Sequence, residues 1–284
     1  MNSEVAQVRT HLNVAKLRAE FKGPHELITT SDGKVLFLQA WEAKNPSEVA
    51  ILIFHGITGY SNPYGKFMAG ELSAAGFPTF VLNLRGHGLS DGARGDYPSK
   101  KRLAQDLCET ISFVKQRFPK VVVLGHSLGA VAGVIAVNAC PSQIDGLVLV
   151  GAGKHFRPGA IPKPKFSMIL KVLLNRLFRP SKAVINYYRP GMTGVSDPLC
   201  TFNYTPRFML MFRWQNMVFS QTLQCPVFVG VGDQDELFTV ESARAFFDQI
   251  PGNNRHFEIL AGAKHVDFPR DCWTPLIEWL YATI

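Results

Sequence analysis

One stretch constrains the fold of this chain more than any other: residues 121–137, where a β-branched apolar run meets a G-x-S-x-G motif and then a second apolar run. This order predicts a strand, a sharp turn and a helix. The serine of such a turn is strained, which lifts its hydroxyl clear of the sheet, and a Cβ on either motif glycine would collide with the neighbouring strand or helix. Ser127 is therefore the candidate nucleophile, between Gly125 and Gly129.

Further apolar runs predict the sheet around this turn. Residues 49–54 and 78–83 have the length and composition of strands that are buried on both faces, and helical patterns follow them at residues 64–75 and 101–116. A turn signal, Ser31-Asp32-Gly33, joins two earlier strand-like runs as an antiparallel hairpin. The chain therefore predicts an α/β fold with a mostly parallel, doubly wound sheet, whose active site gathers at the carboxyl ends of the strands.

The alternation of strands and helices stops after residue 150 and resumes near residue 225, which predicts an insertion. We expect an α/β-hydrolase-type core of residues 23–152 and 221–284 and a helical cap of residues 153–220. Pro164 and Pro180 bracket one apolar cap helix, and Thr205-Pro206 is a typical start for a second. The cap has more apolar side chains than so small a cover can bury, so some should line a lipophilic channel or face a membrane.

Residues 1–22 precede the first predicted strand and form a separate extension. Val5, Val8, Leu12 and Ala15 recur at near-helical spacing, which predicts an amphipathic helix. Such a helix either packs on the core or lies on a membrane surface, and we favour packing.

The positive charge of the chain is confined to one segment. The net charge is +8, and residues 146–196 contain nine Lys or Arg but no Asp or Glu. Two interpretations stay open: these cations solvate a cap whose apolar faces are buried, or they bring the cap into peripheral contact with an anionic membrane.

Several classes of protein are disfavoured by composition. The five cysteines are scattered, odd in number and without C-x-x-C spacing, which predicts neither a disulfide framework nor a zinc site. The first twenty residues lack the apolar core of a secretory signal, and no stretch approaches the ~18 apolar residues of a membrane span. We expect a cytoplasmic protein that needs no metal and no cofactor and binds no nucleic acid.

A serine hydroxyl needs a base to accept its proton and a carboxylate to orient that base. On a sheet of this kind the three arrive in the order Ser, acid, His. Two aspartates compete for the acid: the spacing from Gly232 favours Asp235, and Asp233 is the alternative. His265 is the predicted base, because it alone among the histidines is on a loop after the acid-bearing strand.

The negative charge that develops on a substrate carbonyl oxygen needs two fixed hydrogen-bond donors. By position these are the backbone N–H of Leu128, directly after the nucleophile, and that of Ile57, after the first buried strand. The predicted substrate contacts are His55, Gly56, His126, Met209 and Phe212.

The motifs together resemble those of a known family. These are His55-Gly56-Ile57, the R-G-H-G-L-S-D-G run of residues 85–92, Gly125-His126-Ser127-Leu128-Gly129, residues 232–235 and Ala263-Lys264-His265. The set is similar to the monoacylglycerol lipase and lysophospholipase branch of the α/β-hydrolases. The resemblance implies a serine ester hydrolase with Ser127, Asp235 and His265 as the triad, and a mobile cap that admits lipid. Asn83 departs from the pattern, because that branch often has an aspartate there.

The expected function is a serine carboxylic ester hydrolase that cleaves single-chain lipid esters through an acyl-enzyme. A thioesterase, an acyltransferase, an aminopeptidase and a short-chain or aryl esterase are alternatives, because the triad does not encode what leaves or what attacks. A non-catalytic binding protein that kept the fold is a further alternative, against which the complete set of motifs argues.

Overall fold

The apolar runs of the sequence form the inner strands of an eight-stranded sheet. A computed structural model describes residues 12–161, 166–189, 192, 194–220 and 222–284. The strands of this sheet are β1 (His25–Thr29), β2 (Val35–Trp41), β3 (Val49–Phe54), β4 (Thr79–Leu82), β5 (Lys120–His126), β6 (Gly146–Val150), β9 (Val227–Gly232) and β10 (Arg255–Leu260). The short strands β7 (Ile185–Asn186) and β8 (Asn203–Tyr204) form a second, separate ladder.

The strand order is β1-β2-β4-β3-β5-β6-β9-β10. The hairpin β1–β2 is antiparallel, as predicted, and β2 also pairs antiparallel with β4. All remaining pairs of the eight-stranded sheet are parallel, so it has the mostly parallel, doubly wound form expected from the sequence. Because β3, β5, β9 and β10 run parallel, the loops that follow them meet at one edge of the sheet.

Helices cover both faces of the sheet. The described α-helices are α1 (Val14–Glu20), α2 (Ser61–Tyr64), α3 (Gly70–Ala74), α4 (Lys100–Lys115), α5 (Leu128–Ala139), α6 (Phe166–Phe178), α7 (Pro206–Met211), α8 (Val240–Phe247) and α9 (Thr274–Thr283). Along β3, Leu52 and Phe54 join the core under α4 and α5, whereas Ile51 and Ile53 join the core under α9. This alternation buries both faces of the inner strands, which explains their continuous apolar sequence.

The predicted helix at residues 64–75 is an interrupted one. Helix α2 begins at Ser61, and a π-helical turn at Gly65–Ala69 joins it to α3. A π-turn admits one extra residue per turn, which apolar spacing does not reveal.

The segment between β6 and β9 lies outside the large sheet and contains α6, α7 and the β7–β8 ladder. Its inner part is fixed to the core: the Thr205 backbone N–H donates to the Gly95 carbonyl at 3.0 Å, and the Thr205 hydroxyl donates to Asp96 at 2.7 Å. Its outer helix, α6, has no buried residue. No helix among the described residues is both long and apolar enough to cross a membrane.

The amino-terminal helix is described only in part, because Val5 and Val8 lie outside the described residues. Helix α1 is held to the core by Arg18, which donates to the Leu89 carbonyl at 2.9 Å and to Asp91 at 3.0 Å. The Phe21 ring then packs edge-on against Phe37, with centroids 5.1 Å apart. This part of the extension therefore packs on the core.

The cysteine pattern predicted no disulfide framework, but one pair of cysteines is bridged. Cys108 and Cys140 form a disulfide bridge, with Cα atoms 6.0 Å apart. Cys108 lies on α4 and Cys140 directly follows α5, and these two helices pack side by side. The pair is 32 residues apart in sequence, so its proximity depends on helix packing rather than on a local spacing. Such bridges are more usual in oxidising compartments, so the cytoplasmic location stays a prediction.

Candidate active site

The strand β5 delivers Ser127 to the start of α5 through a strained turn. Ser127 has φ 55° and ψ −121°, and it is the only described residue other than glycine with positive φ. A Cβ on Gly125 would lie 2.3 Å from the Gly129 carbonyl oxygen, and one on Gly129 would lie 1.9 Å from the Phe54 carbonyl oxygen. Both distances are far below contact, so the motif needs its two glycines for the steric reason expected from the sequence.

A chain of two hydrogen bonds joins Ser127 to a histidine and a carboxylate. The Ser127 hydroxyl donates to Nε2 of His265 over 2.8 Å, and Nδ1 of His265 donates to Oδ2 of Asp235 over 2.9 Å. All three side chains are buried. His265 follows β10 and Asp235 follows β9, so the parallel strands bring three distant parts of the sequence together.

Asp235, rather than Asp233, is the carboxylate that meets His265. Its other oxygen accepts the backbone N–H groups of Leu237 at 2.7 Å and Phe238 at 2.9 Å. Burial alone would raise the pKa of Asp235, but the hydrogen bond and charge interaction with His265 and these two N–H groups outweigh it and lower the pKa. Asp235 is therefore held as a carboxylate, whereas Asp233 is exposed to solvent.

The backbone of His265 is also fixed. Its N–H donates to Oε2 of Glu236 at 3.0 Å, and its carbonyl accepts a hydrogen bond from Nε2 of His126 at 2.8 Å. His265 is thus held by the bond from its imidazole to Asp235 and by the bonds that its backbone N–H and carbonyl make.

The two predicted oxyanion donors flank the serine. Leu128 is the first residue of α5, so its N–H is among those that a helix leaves unpaired at its start. Ile57 follows β3 on the adjacent loop. A Cβ on Gly56 would lie 3.4 Å from Cβ of Ser127, so this loop passes directly beside the nucleophile.

We predicted that His55 and His126 contact substrate. Both ring nitrogens of each histidine instead form hydrogen bonds within the protein. Nδ1 of His55 donates to the Gly56 carbonyl at 2.8 Å, and its Nε2 accepts the Leu84 N–H at 3.1 Å. Nδ1 of His126 accepts the hydroxyl of Tyr64 at 2.6 Å, while its Nε2 bonds His265. Burial lowers the pKa of His55 to about 4 and that of His126 to about 3. Both rings are therefore neutral supports of the site.

The two apolar residues predicted to contact substrate lie at the inner part of the 153–220 segment. Phe212 is buried with its ring 4.7 Å from that of Phe208, and Met209 is half-buried against the same core cluster. The structure thus places Phe212 in the core and packs Met209 against that core.

Two tyrosines that support the site were not predicted. Tyr64 accepts the Gly56 N–H at 2.5 Å, and Tyr204 donates to the Ile57 carbonyl. Neither belongs to a motif. The only sequence signal is a phenol in a stretch that is otherwise buried, where a hydroxyl usually has a partner.

Comparison with known proteins gives a consistent picture. A family model described as "Serine aminopeptidase, S33" (Hydrolase_4) matches residues 45–268. A monoacylglycerol lipase from Mycolicibacterium smegmatis is 22% identical over 83% of this chain and 88% of its own length. The monoglyceride lipase of Rattus norvegicus is 27% identical over 54% of this chain. The chain spans about half the length of the rat and mouse enzymes, 48% and 52%.

Solved structures share the fold. The monoacylglycerol lipase of Paleococcus ferrophilus superimposes with a TM-score of 0.69 at 23% identity, covering 87% of this chain and 98% of that chain. A soluble variant of monoglyceride lipase from Saccharomyces cerevisiae gives a TM-score of 0.71 at 15% identity, covering 93% and 95%. The family model extends from the third strand through the His265 loop, so the chain belongs to the serine aminopeptidase S33 family, in the monoacylglycerol lipase-like branch of the α/β-hydrolases.

Proposed function

We propose that this chain is a serine ester hydrolase that cleaves single-chain lipid esters through an acyl-enzyme. The observation that carries the proposal is the chain of hydrogen bonds from the Ser127 hydroxyl through His265 to Asp235, on a turn strained at the serine. Relatives named as monoglyceride lipases support a lipid ester as substrate.

In the first half of the reaction, His265 Nε2 takes the Ser127 proton as the serine oxygen bonds to the substrate carbonyl carbon. The N–H groups of Ile57 and Leu128 stabilise the carbonyl oxygen as it becomes negative, and Asp235 stabilises the imidazolium. The bond to the alcohol breaks, and the alcohol leaves with the proton from His265. Water then attacks the acyl-enzyme, His265 takes its proton, and the fatty acid leaves as Ser127 regains a proton.

A fluorophosphonate probe tests this mechanism most directly. We expect the wild-type protein to be labelled once, and Ser127→Ala to lose both labelling and hydrolysis while keeping its circular dichroism spectrum. An active Ser127→Ala protein would refute the nucleophile. A folded wild-type protein that the probe does not label would favour a binding protein.

The leaving group is a separate question, which the triad does not decide. We propose that the substrates are monoacylglycerols or lysophospholipids. This choice follows from a second part of the proposal, in which residues 153–220 cover the site as an apolar cap. Initial rates should be compared across monoacylglycerols, lysophospholipids, acyl thioesters, short aryl esters and aminoacyl amides. A higher kcat/KM for thioesters, or for amides, would move the chain to one of the alternative activities.

We further propose that α6 docks on an anionic membrane. Its large apolar side chains are exposed, with Phe166 at 79%, Leu177 at 74% and Phe178 at 72%. Four further apolar side chains of the helix are exposed at 43–55%: Ile169, Leu170, Leu173 and Leu174. A monomeric protein rarely leaves so much apolar surface on one helix in water.

The basic residues on and beside α6 favour an anionic lipid surface as its partner. Lys171, Arg176 and Arg179 lie on or next to α6 and are exposed, and no acidic residue occurs from residue 146 to residue 196. Near an anionic bilayer each cation adds about 1 kcal/mol of attraction. An apolar face with a basic border fits an anionic lipid surface better than a neutral one.

Vesicle binding tests the docking. The Ser127→Ala protein should bind phosphatidylserine-containing vesicles more tightly than phosphatidylcholine vesicles, and salt should weaken the difference. The variant Lys171→Gln, Arg176→Gln, Arg179→Gln should lose this preference. A matched variant on the core, Lys34→Gln, Lys100→Gln, Lys101→Gln, should keep it. Equal binding to both lipids, or equal losses in both variants, would refute the docking.

A further inference from the structure

The peptide group that carries the Ile57 N–H is held on several sides. Its own carbonyl, that of Gly56, accepts Nδ1 of His55 at 2.8 Å and the Gly59 N–H at 3.1 Å. The preceding peptide group is fixed because the Gly56 N–H donates to Tyr64. These bonds constrain the Ile57 N–H through the peptide group to which it belongs and through the one before it.

The carbonyl on the other side of Ile57 is held by the segment between β6 and β9. The hydroxyl of Tyr204, on β8, donates to the Ile57 carbonyl and shares its proton with the Thr201 carbonyl at 2.6 Å. Tyr204 is fully buried, and its ring stacks on Phe208 with centroids 4.8 Å apart. This side chain is therefore a fixed point.

The backbone around Tyr204 is anchored to the core at both ends. The Thr201 N–H donates to the Thr58 carbonyl at 3.3 Å, one residue beyond Ile57. On the other side, Thr205 bonds Gly95 and Asp96. The position of the Tyr204 hydroxyl is thus tied to the core independently of the exposed helix α6.

We propose that Tyr204 is a positioning residue that orients the Ile57 N–H for the oxyanion, so that the β8 strand is a working part of the catalytic site. The inference rests on the acyl-enzyme mechanism proposed above. The physical reason is preorganisation: a donor stabilises a developing charge only if it already points at the place where that charge forms. Tyr64 holds the Gly56 N–H and Tyr204 holds the Ile57 carbonyl. Held on both sides, the loop cannot rotate the Ile57 N–H away from the oxyanion.

If Tyr204 only held the 153–220 segment on the core, its replacement should affect activity no more than the loss of another bond between the two. Tyr60 also joins the loop after β3 to the 153–220 segment, because its hydroxyl donates to Asp197 at 2.6 Å. That bond does not involve Ile57. If the segment only needs to be held in place, Tyr60→Phe and Tyr204→Phe should have similar effects.

The test uses the full chain and a short, soluble aryl ester. We expect Tyr204→Phe to lower kcat roughly ten- to a hundredfold with little change in KM, because misplacing one oxyanion donor costs less than deleting it. Tyr60→Phe should stay within about twofold of wild type, well below the effect of a misplaced catalytic group. Fluorophosphonate titration counts the folded active sites, so kcat is expressed per competent site even if a variant is less stable.

A second readout separates positioning from folding. A trifluoromethyl ketone with a short acyl chain forms a tetrahedral adduct with a serine, and its affinity for Tyr204→Phe should fall by the same factor as kcat. The affinity for the carboxylic acid product should not change. Wild-type kcat in Tyr204→Phe, or equal losses in the two variants, would overturn the inference while leaving the proposed function intact. If the wild-type protein neither reacts with the probe nor hydrolyses the ester, the proposed function fails first.

Discussion

The sharp turn that presents the Ser127 hydroxyl to His265 strains the backbone of the serine. A residue other than glycine at φ 55° and ψ −121° costs about 1–3 kcal/mol. We expect Ser127→Gly to be at least as stable as Ser127→Ala, although glycine ordinarily costs about 0.5–1 kcal/mol relative to alanine within regular structure. Both variants lack the hydroxyl, so the comparison isolates the strain. Urea unfolding midpoints measure it, and an alanine variant more stable than the glycine variant by about 1 kcal/mol would contradict the strain.

The two neighbouring aspartates provide a matched pair of variants. Asp235→Asn removes the charge that holds the His265 tautomer, so kcat should fall by about a thousandfold or more. Asp233→Asn changes an exposed carboxylate on the same loop and should stay near wild-type activity. Initial rates with the short ester measure both. A larger loss in Asp233→Asn would mean that the acid was assigned two residues too late.

Residue types and spacing predicted which side chains meet at the site but not what holds them. Ser127, Asp235 and His265 occur in motifs whose geometry follows from strand order, and the structure brings them within hydrogen-bond distance. The support of Ile57 by Tyr204 joins residues 147 positions apart. No local pattern encodes such a contact, because it depends on where the 153–220 segment returns to the core.

At the scale of elements, long apolar runs were the most predictable feature. Strand β3 was placed within its observed bounds, since a strand buried on both faces needs apolar residues at every position. The second helix of the 153–220 segment starts at Pro206 as predicted but ends at Met211. Its apolar pattern continues, but the side chain of Asn216 turns back and donates to the Leu210 and Met211 carbonyls. A side chain that caps the last turn from five or six residues away leaves no periodic signal.

The disulfide links the helix that follows the nucleophile to its neighbour, α4. Closing a loop of 32 residues restricts the unfolded chain, and the entropy model gives about 3–4 kcal/mol of stability. Cys108→Ala, Cys140→Ala should therefore unfold at lower urea concentration than wild type, and reduction should destabilise wild type alone. Thiol titration of the unfolded protein should find two more thiols after reduction. Equal thiol counts before and after reduction would contradict the bridge.

At the scale of the whole molecule, the buried histidines make stability depend on pH. In the unfolded chain a histidine takes up a proton near pH 6.5, but burial holds the pKa of His55 at about 4 and that of His126 at about 3. Between these values the unfolded chain binds more protons, so the free energy of unfolding falls as the pH falls. The loss should approach about 1.4 kcal/mol per pH unit for each histidine.

Urea unfolding at a series of pH values from 7.5 to 5 measures this slope. His155→Gln, which removes an exposed imidazole, should leave the slope unchanged. A free energy of unfolding that is constant across this range would contradict the neutral assignment of His55 and His126.

The strand order has a consequence for how the protein is made. Ser127 and His265 are 138 residues apart, and β9 and β10 follow all other strands of the large sheet in sequence. At ribosomal rates Ser127 is synthesised roughly seven to thirty seconds before His265. During that interval strands β1 to β6 can pair while Ser127 still lacks Asp235 and His265. Under the proposed mechanism, a growing chain therefore cannot attack esters until its last strand has docked beside β9.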